Sequence, residues 1–491
     1  MRTSKGPSAT CIALGPAVLG HPAGADVVIR YNEYGASPTI ARGHGTSVDP
    51  KHPGYGAMRI FIQKVIDYTD EHGPDALPPG QKVVFQRDQS VDRSVNALRA
   101  GVQFANSKAT SGPKFSEPRW GFIYNSVPFG MDFQHTLAWL YEGKGIELAQ
   151  AMLDRQGGTQ IVFPVVGSTM QGSGYFPRPI GKPSCTPGDA ECERQGNGIG
   201  LAGLCTSGWR IRYLSPPEDI VSRACDILVR RGAIAAKTLV FYPAVGGQSV
   251  LLPMQRRTIQ GFEFINPHDD FVDFFPVKGA SAARPLGDPD SGALDCSPAV
   301  PFPIPPGTPS NCTQNIGQIG ARYAHFPGWH QPFLLSWMHV DKAVWDGLIP
   351  AQRAAILRAA REAVLESYNA TESVACRKLK DILDINDGVG QRNLDGTPRM
   401  ADGKPVSADM VLAPWPEEAL KVLLEARNEH LAALEGPQNA EAKSEVQKDF
   451  SAVLKSWRDH AQKAGVADKF EPGVFPAKTG LVAGETCALV R

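Results

Sequence analysis

Neither sign of charge is in excess in this 491-residue sequence: 50 Lys and Arg stand against 50 Asp and Glu, for a formal net charge of zero with neutral histidines. A chain without a basic surplus lacks the electrostatic footprint of a nucleic-acid or anionic-membrane binder, and neither is expected as its main partner. No uninterrupted apolar stretch reaches the roughly 18 residues that a membrane-spanning helix requires. CxxC pairs are absent, which removes the common zinc knuckles. So are the GxxxxGK[ST] phosphate cradle, the GxSxG nucleophile elbow and the HExxH zinc motif, and with them the usual signatures of nucleotide, serine-hydrolase and metalloprotease chemistry.

What is present is a core-forming composition. Hydrophobic residues make up 42% and charged residues 20%, too apolar for a disordered chain. The 50 Gly and 41 Pro exceed the usual share, so many turns and some long irregular connections are expected. At this length two domains, or one large bilobal one, is the default.

The first 25 residues read as a secretory signal peptide. Arg2 and Lys5 give a basic start, Ala9 to Gly20 is small and apolar apart from Thr10, and Ala23-Gly24-Ala25 is a small-x-small cleavage site. Export is therefore expected. Removing that leader with Cys11 leaves eight of the nine cysteines, an even number compatible with disulfides. Cys185 with Cys192 and Cys296 with Cys312 are the favoured pairs, because each lies in a Pro/Gly-rich loop whose entropy a crosslink limits.

From Asp26 onward short β-type runs alternate with helical ones, which argues an α/β fold. Strands are expected at Val27 to Tyr31, Lys82 to Gln86 and Thr159 to Val166. Helices are expected near Gly56 to Thr69, Ser90 to Ala100, Asp132 to Tyr141 and Gly145 to Gln156. The tract SPAVPFPIPPGTPS cannot be interior sheet or helix and marks a surface insertion. The last third is helical: Pro350 to Tyr368 carries one apolar face, and Asn439 to Ala464 places Val446, Phe450, Val453, Leu454, Trp457 and Ala461 on a stripe that is either core or a dimer seam.

Four segments carry candidate chemistry. GSTMQGSGYF (Gly167 to Phe176) follows an apolar strand, so small residues admit a ligand while Gln171 and Tyr175 reach a cleft from the strand end. GWRIRY puts Arg210 and Arg212 on one face by the strand period of two, and an arginine held in this way suits capture of a carboxylate. In LPMQRRTIQGFEFINPHDD, Glu263 lies between Phe262 and Phe264, where a carboxylate needs a cation or a hydroxyl partner. FPGWHQP presents Trp329 and His330 from a loop stiffened by two prolines.

Taken in order, these segments resemble the extracytoplasmic solute-binding proteins of tripartite ATP-independent periplasmic (TRAP) transporters, the DctP family, and within it the branch for 2-oxo and 2-hydroxy monocarboxylates. NSVPFGMDFQHTLAWLYEGKG (Asn125 to Gly145), VVGSTMQGSGYF, GWRIRY, LPMQRRTIQGFEFINPHDD and AHFPGWHQP are similar to five successive motifs of that branch. The resemblance implies a two-lobed α/β periplasmic binding protein fold, type II-like, with a ligand cleft between the lobes and a helical C-terminal region. It implies this division: a signal peptide at 1–25, lobe I first at 26–161, lobe II first at 162–260, lobe I resumed at 261–325 with a Pro/Cys-rich insertion at 276–312, and lobe II completed with the C-terminal helices at 326–491.

It further implies a non-enzymatic role, with Arg212 as a bidentate clamp on the ligand carboxylate. Gln171, Glu263 and the backbone carbonyl of Phe264 would hold a Na⁺ or Ca²⁺ ion that also touches the ligand, and Phe129, Tyr175, Phe264 and Trp329 would wall the cleft. The expected partners are a small organic acid, the TRAP membrane subunits and a second copy through the C-terminal helix. The sequence departs from the family pattern at Gly167 or Ser168, at Ser215, at Phe264 where the family has Trp, and at Gln331. The rival reading is a secreted metal-dependent hydrolase using His268, Asp269 and Asp270.

Overall fold

The computed structural model describes residues 27–33, 57–70, 72–78, 83–87, 104–108, 119, 124, 127–155, 158, 160–168, 172–181, 198–213, 217–242, 253–254, 256–264, 320–325, 328–383, 397–398, 400–401, 403–406, 409–413 and 415–466. Along the chain these form β1 (Val27–Glu33), α1 (Ala57–Thr69), β2 (Val83–Arg87), β3 (Phe104–Lys108), α2 (Phe133–Glu142), α3 (Gly145–Arg155), β4 (Gln160–Ser168) and β5 (Gly172–Phe176). There follow α4 (Gly200–Cys205), β6 (Arg210–Arg212), α5 (Pro217–Arg230), β7 (Val240–Phe241), β8 (Gly261–Phe264), β9 (Tyr323–His325) and β10 (Leu334–Asp341). The remainder is α6 (Lys342–Gly347), α7 (Pro350–Leu383), β11 (Met400–Ala401), β12 (Lys404–Pro405), β13 (Val411–Leu412), α8 (Glu417–Glu435) and α9 (Glu445–Lys463).

Two mixed sheets organise the chain. The first has the order β2-β1-β3-β10-β4, with β1 parallel to β2 and β3, and β10 antiparallel to β3 and β4. Its core is closed by α1, through Phe61, Ile62 and Val65, and by α7, through Ile356, Ala359, Ala360 and Ala363, all buried. The second sheet runs β13-β9-β5-β8-β6-β7, with β5 antiparallel to β8 and β9. The chain passes from the first sheet to the second between β4 and β5, and returns between β9 and β10. The GSTMQ and FPGWHQP segments therefore both sit where the chain changes sheets.

Within 261–325, β8 pairs with β5 and β6, and β9 with β5, so both strands belong to the second sheet. After residue 326, β10 lies in the first sheet, between β3 and β4. Strand partners are chosen by long-range hydrogen bonding, which the order of motifs along the chain does not encode.

Local signals account for several helix starts. Asp132 caps α2 by accepting from the His135 N–H at 2.9 Å. Ser444 and Gln447 form a reciprocal capping box at the start of α9. In α9 the apolar stripe is core: Phe450, Val453, Leu454, Trp457 and Ala461 are buried within the same chain, and the Trp139 indole reaches over to donate to Ser456 at 3.2 Å. That stripe is thus packed largely within the same chain.

A disulfide joins Cys205 at the end of α4 to Cys225 in α5. The favoured pairs Cys185–Cys192 and Cys296–Cys312 lie outside the described residues, as do the expected helix at Ser90 to Ala100, the signal peptide and the Pro-rich insertion. The observed bridge closes a separation of 20 residues, for which chain-entropy reasoning gives about 3 kcal/mol. The Cys205→Ala/Cys225→Ala double variant should lose stability of that order in urea denaturation. Wild-type protein should fall to the same midpoint under reductant, and a midpoint insensitive to reductant would refute the crosslink.

Candidate functional site

The site is assembled around β6 and β8, which run parallel with Arg212 opposite Phe262. Strand alternation predicts one face for Arg210 and Arg212, but only the second is enclosed: Arg210 is exposed at the strand's start, whereas Arg212 is 2% exposed. Its Nη1 donates to the backbone carbonyl of Glu263 at 2.6 Å and to Oε1 of the same residue at 3.2 Å. Glu263 is equally enclosed. Two opposite charges taken out of water in this way attract strongly but cost desolvation, so the pair adds little net stability while either charge alone would be severely penalised.

The second carboxylate oxygen of Glu263, Oε2, faces His330 Nε2 at 3.8 Å. His330 reaches this place from the FPGWHQP turn between β9 and β10. Its ring meets the edge of Tyr213 at 5.9 Å and lies 5.6 Å from Trp329. Burial, with the neighbouring Glu263 charge as a lesser cause, pushes the Tyr213 phenol well above its ordinary range, so it stays a neutral hydroxyl.

An aromatic wall continues from there. Trp329 stacks on Phe129 at 5.4 Å, and the Phe129 N–H donates to the Trp329 carbonyl at 2.8 Å. Phe129 holds a left-handed backbone, φ 53°, unusual for a bulky residue and retained because the stack and this hydrogen bond over-determine it. Trp329 also meets Trp415 edge-on at 6.2 Å. Tyr175, buried on β5, packs its ring against Phe262 at 5.3 Å.

Of the residues singled out from sequence, Arg212, Glu263, Trp329 and Phe129 are thus joined into one buried cluster, and Tyr175 is linked to it through Phe262. Gln171 lies outside the described residues, but Gly172, the next residue, pairs with Phe264 at the end of β8. The Phe264 side chain and His268, Asp269 and Asp270 are likewise outside. Tyr213 and the contact between His330 and Glu263 were not read from the sequence. Tyr213 ends the GWRIRY segment beside Arg212, and that adjacency was the available signal.

No protein-family model and no curated protein matches the sequence. Solved structures do. A TRAP transporter solute-binding protein from Bordetella bronchiseptica RB50 superposes with a TM-score of 0.56 at 13% identity, over 93% of this chain and 97% of the other. Periplasmic solute-binding proteins from Colwellia psychrerythraea and Pseudoalteromonas atlantica T6c give TM-scores of 0.55 and 0.53, both at 13% identity over 92% of this chain and 99% and 98% of theirs. The fold is that of the TRAP periplasmic solute-binding proteins.

The Bordetella protein carries calcium and picolinate, the Colwellia protein calcium and pyruvate, and the Pseudoalteromonas protein sodium and pyruvate. Each of these neighbours is a solute-binding protein. Among the described residues no three His, Cys, Asp or Glu side chains converge in a metal-holding group. Within those residues no helix is long and apolar enough to cross a membrane.

Proposed function

We propose that this chain is the periplasmic solute-binding component of a TRAP-type secondary transporter, which captures a small 2-oxo or 2-hydroxy monocarboxylate and delivers it to membrane subunits. The observation that carries this reading is the buried Arg212–Glu263 pair where β6 and β8 meet, beside the aromatic wall of Trp329 and Phe129. A planar guanidinium in a water-poor site is suited to paired hydrogen bonds with a carboxylate. Bound ligand then shifts the population of lobe arrangements toward one the membrane partner recognises, and no bond is made or broken.

A Na⁺ or Ca²⁺ ion fits the donor chemistry. Glu263 supplies a buried carboxylate, the Phe264 carbonyl lies at the strand end, and Gln171 immediately precedes the residue paired with Phe264. All three are hard oxygen donors of the type these ions take. The ion would offset the negative charge that the ligand carboxylate adds beside Glu263. The sodium and calcium found with pyruvate in the fold relatives support this assignment.

Native mass spectrometry and a thermal-shift screen of small 2-oxo and 2-hydroxy acids, each with and without Na⁺ or Ca²⁺, test the proposal. A ligand at a hundred times its dissociation constant should stabilise the protein by about 2.7 kcal/mol. The expected result is a shift with one such acid that grows when the cation is added. Silence across the whole panel would reject the organic-acid assignment.

A further inference from the structure

His330 is 1% exposed, and neither of its ring nitrogens has a hydrogen bond. Burying polar atoms without partners is costly, so an imidazole held in this state beside a buried carboxylate is placed to take a partner from outside. Its orientation is set by the Tyr213 and Trp329 rings, and its Nε2 points at Glu263 Oε2 across 3.8 Å. That distance is too long for a direct hydrogen bond. The other oxygen of Glu263 is engaged by Arg212 at 3.2 Å, so the carboxylate cannot rotate toward His330 without breaking that contact.

We propose that His330 contacts the ligand and, together with Glu263, forms a donor–acceptor clip that selects a hydroxyl on the carbon next to the ligand carboxylate. The proposal rests on the solute-binding reading above and deepens it. An oxygen about 2.8 Å from both Nε2 and Oε2 closes the gap between them. A hydroxyl satisfies both sides, because it accepts from an Nε2–H of the imidazole and donates its own proton to the carboxylate. A keto oxygen accepts from His330 but brings no proton for Glu263, so two oxygens with lone pairs face each other. Only an intervening cation relieves that contact. Arg212 would meet the ligand carboxylate while the clip reads the neighbouring oxygen, and a site built around a hydroxyl rejects the analogue that lacks one.

Titration calorimetry with lactate and pyruvate as probes, on wild-type protein and on His330→Phe and His330→Gln, with Ca²⁺ present and after chelation, tests the clip. Without the cation, wild-type protein should prefer lactate by roughly tenfold or more. In His330→Phe lactate binding should weaken by about that factor while pyruvate binding changes far less. His330→Gln, which keeps an N–H donor, should recover part of the preference. Equal loss for both acids in the Phe variant, or a pyruvate preference in chelated wild-type protein, would overturn the clip alone. Wild-type protein that binds neither acid overturns the organic-acid reading and the clip with it. If the Phe variant does not fold, the lactate-to-pyruvate ratio of chelated wild-type protein decides the matter.

Discussion

Replacing Arg212 by alanine should abolish the ligand-induced thermal shift and also destabilise the unliganded protein. Both effects have one origin. The guanidinium is 2% exposed and holds the Glu263 carbonyl and carboxylate together, so its removal leaves a carboxylate buried without its cation. Breaking a buried pair from one side costs about 3–5 kcal/mol. The ligand carboxylate loses its partner while still being desolvated, which costs several kcal/mol more in affinity. The two consequences separate in the Arg212→Met/Glu263→Met double variant. Replacing both charges by apolar groups of similar volume is close to neutral for stability, so urea denaturation should show recovery toward wild type, whereas calorimetry should still detect no binding. Binding that survives in either variant would remove Arg212 from the ligand site.

Acid should unfold the protein in a window set by two core histidines. Burial lowers both His325 and His339 from an ordinary 6.5 to about 3. For His325 the geometry gives a direct reason: its Nε2 accepts the Ile180 N–H at 3.3 Å, which requires an unprotonated nitrogen, and its ring is enclosed by Phe176 and Trp415. His339 sits in β10, the strand between β3 and β4. The unfolded chain binds protons at these positions below pH 6.5 and the folded chain does not, so stability is full above that value. It then falls by about 1.4 kcal/mol per pH unit for each histidine down to the folded value near 3. Between pH 6.5 and 4.5 the two together account for about 5 kcal/mol. Urea midpoints measured across this range should decline in wild type, and the decline should be shallower by one proton's worth in His325→Phe or His339→Phe. Identical slopes in wild type and variants would show that carboxylates alone drive the acid transition.

How much of this was legible beforehand varies with the range of the interactions involved. The helices over Ala57–Thr69, Phe133–Glu142, Gly145–Arg155 and Glu445–Lys463 lie within a few residues of the positions that apolar spacing marks out. Their faces and caps are written in stretches of about four residues. Helix α7 continues to Leu383, well beyond the expected end near Tyr368. Helices α5 and α8 were not read at all, although α5 opens with Pro217, Glu218 and Asp219, a good first turn, and buries Ile220, Val221, Ala224 and Ile227 at helical spacing. Its Cys225 was counted among the disulfide candidates, but pairing with Cys205 depends on α4 and α5 coming together in space.

The site divides in the same way. The sequence by itself singled out the candidate segments, because an arginine on a short strand, a glutamate among phenylalanines and a proline-stiffened Trp-His turn are unusual locally whatever surrounds them. It also determined the α/β class through its alternation of short strands and helices. Only the tertiary structure decided that Arg212 is buried and Arg210 is not, that Glu263 is its partner, that His330 faces the remaining carboxylate oxygen, and that β8, β9 and β10 are shared between two sheets against the order of the motifs. Desolvation and strand pairing are made by residues tens to hundreds of positions apart, and no local pattern records which of them meet.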